Sequence, residues 1–273
     1  MKIYNNIIVN NSDFGILQVR IYTGSYSTDI SNNIIQGNSA DGIQLLWNDN
    51  WIFGNTISEN EGGIVLLLDS HNNMIKSNTI KDNDNGIILC SESNTIRSNT
   101  IMDNNNGIDV RYSCSNTIEN NTIVNNGDYG IVLEYYEDIE EIAFSSNNNI
   151  VGNVICGQSY GIKVELKCDN NMIRSNHIAG NIQGFYADVS NNNNIEKNNF
   201  IGNTKNAYFK TYRKYDITFT QNYWDDLNGA SKEIIMGKKA LFPLLPFFSF
   251  YWFFIPCFKI DNAPAQEPYD IGG

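Results

Sequence analysis

The sequence predicts an all-β chain wound as a right-handed parallel β-helix, a solenoid of nine to ten rungs of about 22 residues with an irregular C-terminal cap. Three observations predict it. The tripeptide Asn-x-Ile recurs along residues 1–224, the apolar segments between its copies run for only two to five residues, and asparagine makes up 45 of 273 residues. Asparagine competes with the backbone for hydrogen bonds, which disfavours helix and suits turns. Segments this short, rich in Ile and bounded by Asn or Gly, fit strands separated by tight turns.

Aligned on Asn-x-Ile, the repeat places Asn6, Asn33, Asn55, Asn78, Asn99, Asn121, Asn153, Asn176, Asn198 and Asn222 in one column, with a single long step of 32 residues between Asn121 and Asn153. Five residues later comes a second amide column, from Asn11 through Gln158 to Asn203. Five residues earlier lies a third, from Asn50 to Asn193. A fourth column pairs Gly with an apolar residue, as in Gly86-Ile87 and Gly130-Ile131. A unit of about 22 residues cannot bury its apolar side alone, so the units must stack, with three short strands per turn and neighbouring strands about 4.8 Å apart. Ile75, Ile80, Ile87 and Leu89 then point into one rung, with Ile96, Ile101, Ile108 and Val110 in the next. Asn suits the corners because it tolerates left-handed backbone and its amide can donate to one rung while accepting from the next. The asparagine columns are therefore read as scaffold.

Lys and Arg number 18 against 30 Asp and Glu, a formal charge of −12, with no basic stripe to attract phosphate. Nucleic acid is excluded as a partner on that ground. Five cysteines, Cys90, Cys114, Cys156, Cys168 and Cys257, lack the close spacing of zinc or redox sites and read as free structural thiols. Met1 is followed directly by repeat sequence, without the basic and apolar regions of a signal peptide, so the chain is either cytoplasmic or lacks its natural start.

The combination of N-x-I-x-x-N with G-I-x-L over residues 3–224 resembles the right-handed β-helices grouped around NosD, the periplasmic copper-binding protein family, and the wider set of carbohydrate-binding and sugar-hydrolase β-helices. Asn222-Tyr223-Trp224-Asp225-Asp226 resembles the element that closes many archaeal and bacterial members after the last rung. Glu267-Pro268-Tyr269-Asp270-Ile271 is similar to an ending found in some archaeal ones. The resemblance implies export to the periplasm, the cell surface or the extracellular space. It also frames the missing motifs, because the dense G-H-G, R-I-K or D-P-H-D signatures of pectate lyases, polygalacturonases and alginate epimerases of this shape have no counterpart here. His71 and His177 are the two histidines and fall in different positions of different rungs, so side chains give copper no support; no metal site or cofactor is expected beyond a candidate calcium ion.

Chemistry is sought on the outward side of the G-I-x-L strand, at the residues two and four after Gly. One outward column reads Gln44, Val65, Ile88, Asp109, Val132, Lys163, Tyr186 and Tyr208, and the other Leu46, Leu67, Cys90, Arg111, Glu134, Glu165, Asp188 and Lys210. Glu134, Glu165 and Asp188 fall on consecutive rungs about 5 Å apart, near the carboxylate separation of retaining glycosidases, and are the candidate catalytic groups. Stacked carboxylates have this spacing in any case, and Arg111, Lys163 and Lys210 would equally neutralise them as a surface ladder. Asp109, Arg111, Lys163, Tyr186, Tyr208 and Lys210, joined by Tyr135 and Tyr136 from the acidic insertion after Glu134, form the candidate glycan-binding set, with the insertion's carboxylates also able to take calcium.

Residues 225–273 are read as a cap or strap over the open end of a repeat domain spanning 1–224. The run ALFPLLPFFSFYWFFIPCF from Ala240 to Phe258 is interrupted by Pro243, Pro246 and Pro256, so no transmembrane helix is expected there. At the other end Ile3, Ile7 and Ile8 belong to a rung with nothing upstream to cover it, from which end-to-end self-association is expected. Function is left between a polysaccharide-binding or structural surface protein, a lyase, hydrolase or epimerase using the carboxylates, and a NosD-like accessory protein in metal handling.

Overall fold

The computed structural model describes residues 1–19, 27–137, 142–211, 217–225, 233–241 and 253–271. Its strands form three stacked parallel sheets, here called A, B and C, each visited once per rung. Sheet A runs in ten strands from Lys2–Tyr4 to Thr218–Thr220, and sheet B in ten from Ile7–Val9 to Tyr223–Trp224. Sheet C runs from Ile16–Gln18 to Lys205–Thr211 and continues into Glu233–Leu241, which turns back antiparallel as Phe253–Asp261. No helix occurs among the described residues.

Register follows the apolar columns. Ile52, Ile75, Ile96, Ile118, Ile150, Ile173 and Ile195 stack as direct partners in sheet A, all fully buried. Each such side chain contributes about 1.5–3 kcal/mol on leaving water. A slip by one residue would turn a whole column to solvent, so burial fixes the register. At the first rung Ile3 and Ile8 are only half-buried against this core, and Ile7 is 73% exposed.

The asparagine columns are hydrogen-bonded ladders inside the wall. In the central one the backbone N–H of each Asn donates to the amide oxygen of the next rung's Asn, as from Asn55 to Asn78 and Asn78 to Asn99, at 2.9 Å each. The side-chain amide of Asn99 donates to the Ile75 carbonyl below it and to Asn121 Oδ1 above it, both at 3.0 Å. The expectation that the ladder residues themselves adopt left-handed backbone is corrected here. That conformation belongs to the residue just before each of them, among others Asn32, Ser77, Ser98, Asn120 and Ser175. The corner and the amide are separate devices, and only the second requires Asn. Gly86 has its own reason, since a Cβ there would stand 2.5 Å from the Gly107 carbonyl oxygen of the next rung.

The second ladder, from Asn11 to Asn203, is broken at Gln158. Its backbone and side-chain N–H groups find partners in Asn181 and Ile123, but its Oε1 is buried without one, and the extra methylene carries that oxygen away from Asn126. At the C-terminal end Asp261 ends the central ladder. Its Oδ2 accepts the N–H of Asn222 at 2.9 Å and Trp224 Nε1 at 3.2 Å, while Oδ1 accepts the N–H of Gln221 at 3.0 Å. Beyond it, Ala265 donates to the Asn222 carbonyl at 2.9 Å, and the backbone of Tyr269 is held by the Asn199 amide through two 2.8 Å bonds.

Candidate functional site

The outer surface of sheet C changes character along the solenoid. In its early rungs Val65, Ile88 and Cys90 form a small apolar cluster with Leu67 and Tyr112, separate from the main core. The outward column in register with Val65 and Ile88 then reads Asp109, Val132, Lys163, Tyr186 and Tyr208.

Beside that column the residue preceding each Gly also faces outward. Asn106, Tyr129, Tyr160, Gln183 and Lys205 pair in register. Together the two columns bring four tyrosines into one ribbon. Ring centroids are 5.8 Å apart between Tyr129 and Tyr160, 5.7 Å between Tyr160 and Tyr186, and 5.9 Å between Tyr186 and Tyr208. All four are half-buried.

Lysines lie over these rings. Lys163 Nζ is 4.9 Å from the Tyr129 centroid, Lys210 Nζ 5.6 Å from that of Tyr186, and Lys205 Nζ 4.4 Å from that of Tyr208. Two of the three are also tied to carboxylates, Lys163 to Glu165 at 2.6 Å and Lys210 to Asp188 at 3.0 Å. Tyr186 Oη donates to Asp188 Oδ2 at 3.3 Å.

At the lower end of the ribbon Arg111 folds back over Asp109, its Nε donating to Oδ2 at 2.7 Å and its Nη2 reaching the same oxygen. Asp109 is 2% exposed and its Oδ1 has no partner among the described residues. Burial pushes its carboxyl up from the ordinary value, against the pull of Arg111. Glu134, paired in register with Arg111 and 3.7 Å from it, is pushed up to about 7 by burial, then by the charges of Asp109 and Glu165, with Arg111 and Lys163 opposing. Burial works to lower the Lys163 ammonium, but Glu165 and Tyr129 outweigh it and the net shift is upward.

Residues 1–86 and 65–239 match the family described as periplasmic copper-binding protein (NosD). The chain belongs to the NosD family. Among solved structures the A-module of the mannuronan C-5 epimerase AlgE4 from Azotobacter vinelandii superposes with a TM-score of 0.64 and 15% identity, over 80% of this chain and 71% of that one. A mutant of the periplasmic alginate epimerase AlgG superposes with a TM-score of 0.60 and 18% identity over 72% of this chain. This chain spans about half of AlgG, 53% of its length. At these identities the likeness establishes the right-handed parallel β-helix and nothing finer. No functionally curated protein matches the sequence.

Within this NosD-family β-helix the expected residues fall as follows. Glu134 stands on a strand of sheet C, Glu165 and Asp188 directly follow the next two strands, Tyr160–Val164 and Gln183–Ala187, and Arg111, Lys163, Tyr186, Tyr208 and Lys210 share that surface. Asp109 lies on the same side of the sheet but beneath Arg111, where a ligand does not reach it. Tyr135 packs half-buried against the main core and not beside the ribbon. Its strand, Tyr129–Glu137, pairs antiparallel with Ile142–Phe144; the side chain of Tyr136 and residues 138–141 of the acidic insertion lie outside the described residues, as does 242–252 of the apolar tail. Tyr129, Tyr160 and Lys205 were missed. Their signal was present as Tyr-Gly-Ile in two successive repeats, in a position before Gly that the two outward columns left out.

His177 sits on sheet B, its pKa lowered by burial, while His71 lies in the turn before Met74–Lys76. Among the described residues no group of three His, Cys, Asp or Glu side chains is placed to hold a metal ion, and no helix is long and apolar enough to cross a membrane. Among the described residues no disulfide is formed. A groove lined by Ile217–Gln221 and Lys259–Ala263 at the C-terminal end contains the Asp261 carboxylate, whose oxygens are already occupied by the ladder terminus.

Proposed function

We propose that the protein binds a polysaccharide along the outer face of sheet C, in the periplasm or outside the cell, with successive sugar residues following successive rungs. The observation that carries this reading is the ribbon of Tyr129, Tyr160, Tyr186 and Tyr208 at a regular spacing of 5.7–5.9 Å. Aromatic surface takes the apolar faces of pyranose rings, and paired charges such as Lys163–Glu165 offer a donor and an acceptor to vicinal hydroxyls. The family's description as periplasmic, and the mannuronan and alginate named for the two similar epimerases, support the compartment and the glycan. Binding without turnover, or a purely structural surface role, fits the missing catalytic signatures. Isothermal titration against a panel of oligosaccharides tests the reading. Micromolar to millimolar binding of at least one class is expected, and no binding across neutral and acidic panels would overturn it.

A second reading, a lyase, hydrolase or epimerase, is favoured by one observation, the Glu134 carboxyl held near neutrality between Asp109 and Glu165. A group with its pKa near the working pH suits general acid or base catalysis. Following reducing ends and unsaturated products in the same panel separates the two. Turnover abolished by Glu134→Gln with folding intact would favour the enzyme.

A further inference from the structure

The outer face of sheet C does not end at Tyr208. Strand Glu233–Leu241 continues the sheet parallel to Lys205–Thr211, with Phe209 in register with Gly237 and Lys210 with Lys238. Side chains alternate along this strand, and its inward positions are fixed. Ile235 is 3% exposed, and a Cβ on Gly237 would stand 2.7 Å from atoms of the Phe209 ring. Met236 therefore faces outward, next in line after Tyr208. Its antiparallel partner Phe258 follows on Phe253–Asp261, while Cys257, opposite Gly237, packs against the core. Among the described residues no strand of sheet C lies beyond that of Phe258.

We infer that Met236 and Phe258 form a further sugar-stacking subsite at the C-terminal end of the tyrosine ribbon, so that a bound polysaccharide runs from the solenoid onto the hairpin. The inference rests on the polysaccharide reading and adds the extent of the site. Met236 is 53% and Phe258 59% exposed, and so open an apolar pair on the last two strands of a sheet marks a contact surface. That edge is not made for a further strand, because the exposed Pro256 on it has no N–H to donate. The pair instead continues the outward line of Tyr186 and Tyr208. From the strand of Tyr129 to that of Phe258 there are five strand steps, about 24 Å in all, the reach of an oligosaccharide and not of a single sugar. Phe258 offers an aromatic surface to a pyranose face, Met236 adapts beneath it, and Lys238, exposed on the same side of the strand as Met236, can donate to a sugar hydroxyl.

The test is isothermal titration of the full chain and of Phe258→Ala with two series of oligosaccharides, mannuronate oligomers and neutral glucose oligomers, each as dimer, tetramer and hexamer. In a series that binds, Phe258→Ala should weaken the hexamer about tenfold, the size of one lost aromatic contact, and the dimer by less than about twofold, since the tyrosines alone can hold a dimer. Phe258→Tyr should bind the hexamer as tightly as the parent. Circular dichroism reports that these surface variants are folded. Unchanged hexamer affinity in Phe258→Ala, or an equal loss at every length, overturns the subsite while the glycan reading stands. Binding by neither series removes both. Sedimentation equilibrium and co-sedimentation with vesicles of mixed neutral and anionic phospholipid are read on the same proteins. A parent dimer that Phe258→Ala dissociates, or vesicle binding that it abolishes, gives the pair to a second copy or to a membrane and likewise overturns the subsite.

Discussion

Asp261 Oδ2 accepts the backbone N–H of Asn222 at 2.9 Å, in the place where every earlier ladder residue meets the amide oxygen of the following rung. The carboxylate is fully buried and also accepts from Trp224 Nε1 and from the Gln221 and Ala263 N–H groups. A solenoid end exposes ladder donors and apolar cross-section together, and this one residue satisfies the donors while the chain that carries it covers Trp224.

Asp261→Ala should destabilise the last rungs by several kcal/mol, since each buried donor left without a partner costs about 1–3 kcal/mol. Asp261→Asn keeps one acceptor and should lose less. Hydrogen exchange at the Asn222 and Gln221 amides checks this, with fast exchange at these positions and unchanged protection near Asn99 as the expected pattern.

Gln158→Asn should stabilise the protein by about 1 kcal/mol. It shortens the side chain so that its oxygen can accept from Asn126 and no longer lies buried without a partner. Chemical denaturation of the two proteins side by side measures it, and a variant less stable than the parent would mean that the ladder tolerates the break for another reason.

Stability should fall as pH rises through the window in which Glu134 ionises. Its folded value, about 7, lies above the ordinary 4.5, so between these values the folded state holds a proton that the unfolded state has lost. The stability change with pH is then negative, beginning near 4.5 and complete above about 7. Glu134→Gln should flatten this part of the profile. Denaturation midpoints at pH 5 and pH 8 decide the matter, and a parent protein that gains stability relative to the variant over this interval would contradict the assignment.

The fold was legible in the sequence because a solenoid turns every structural requirement into a period. Ile75, Ile96 and Ile118 announce a core column by spacing alone, and the same spacing places Lys163, Tyr186 and Tyr208 in one outward line. What escaped depends on features without a period. Asp261 lies 39 residues beyond Asn222, after the repeat has ended. Asp109 is hidden by the rotamer of Arg111, and Tyr135 turns inward at the hairpin that follows the ribbon. Tyr129 and Tyr160 join Tyr186 only because the residue before Gly shares the outer surface with the residue two after it, which the strict alternation of a strand does not reveal.

The account stands most directly on the tyrosine ribbon as a glycan-binding surface. Affinity of the parent protein and of the double variant Tyr160→Ala with Tyr186→Ala for the best oligosaccharide of the panel, measured by titration calorimetry, tests it. Both rings lie outside the main core, so the variant should keep its thermal transition within a few degrees while losing at least about tenfold in affinity, the equivalent of 1.4 kcal/mol. A double variant that stays folded and binds the same oligosaccharide as tightly as the parent would contradict the placement of the ligand on sheet C.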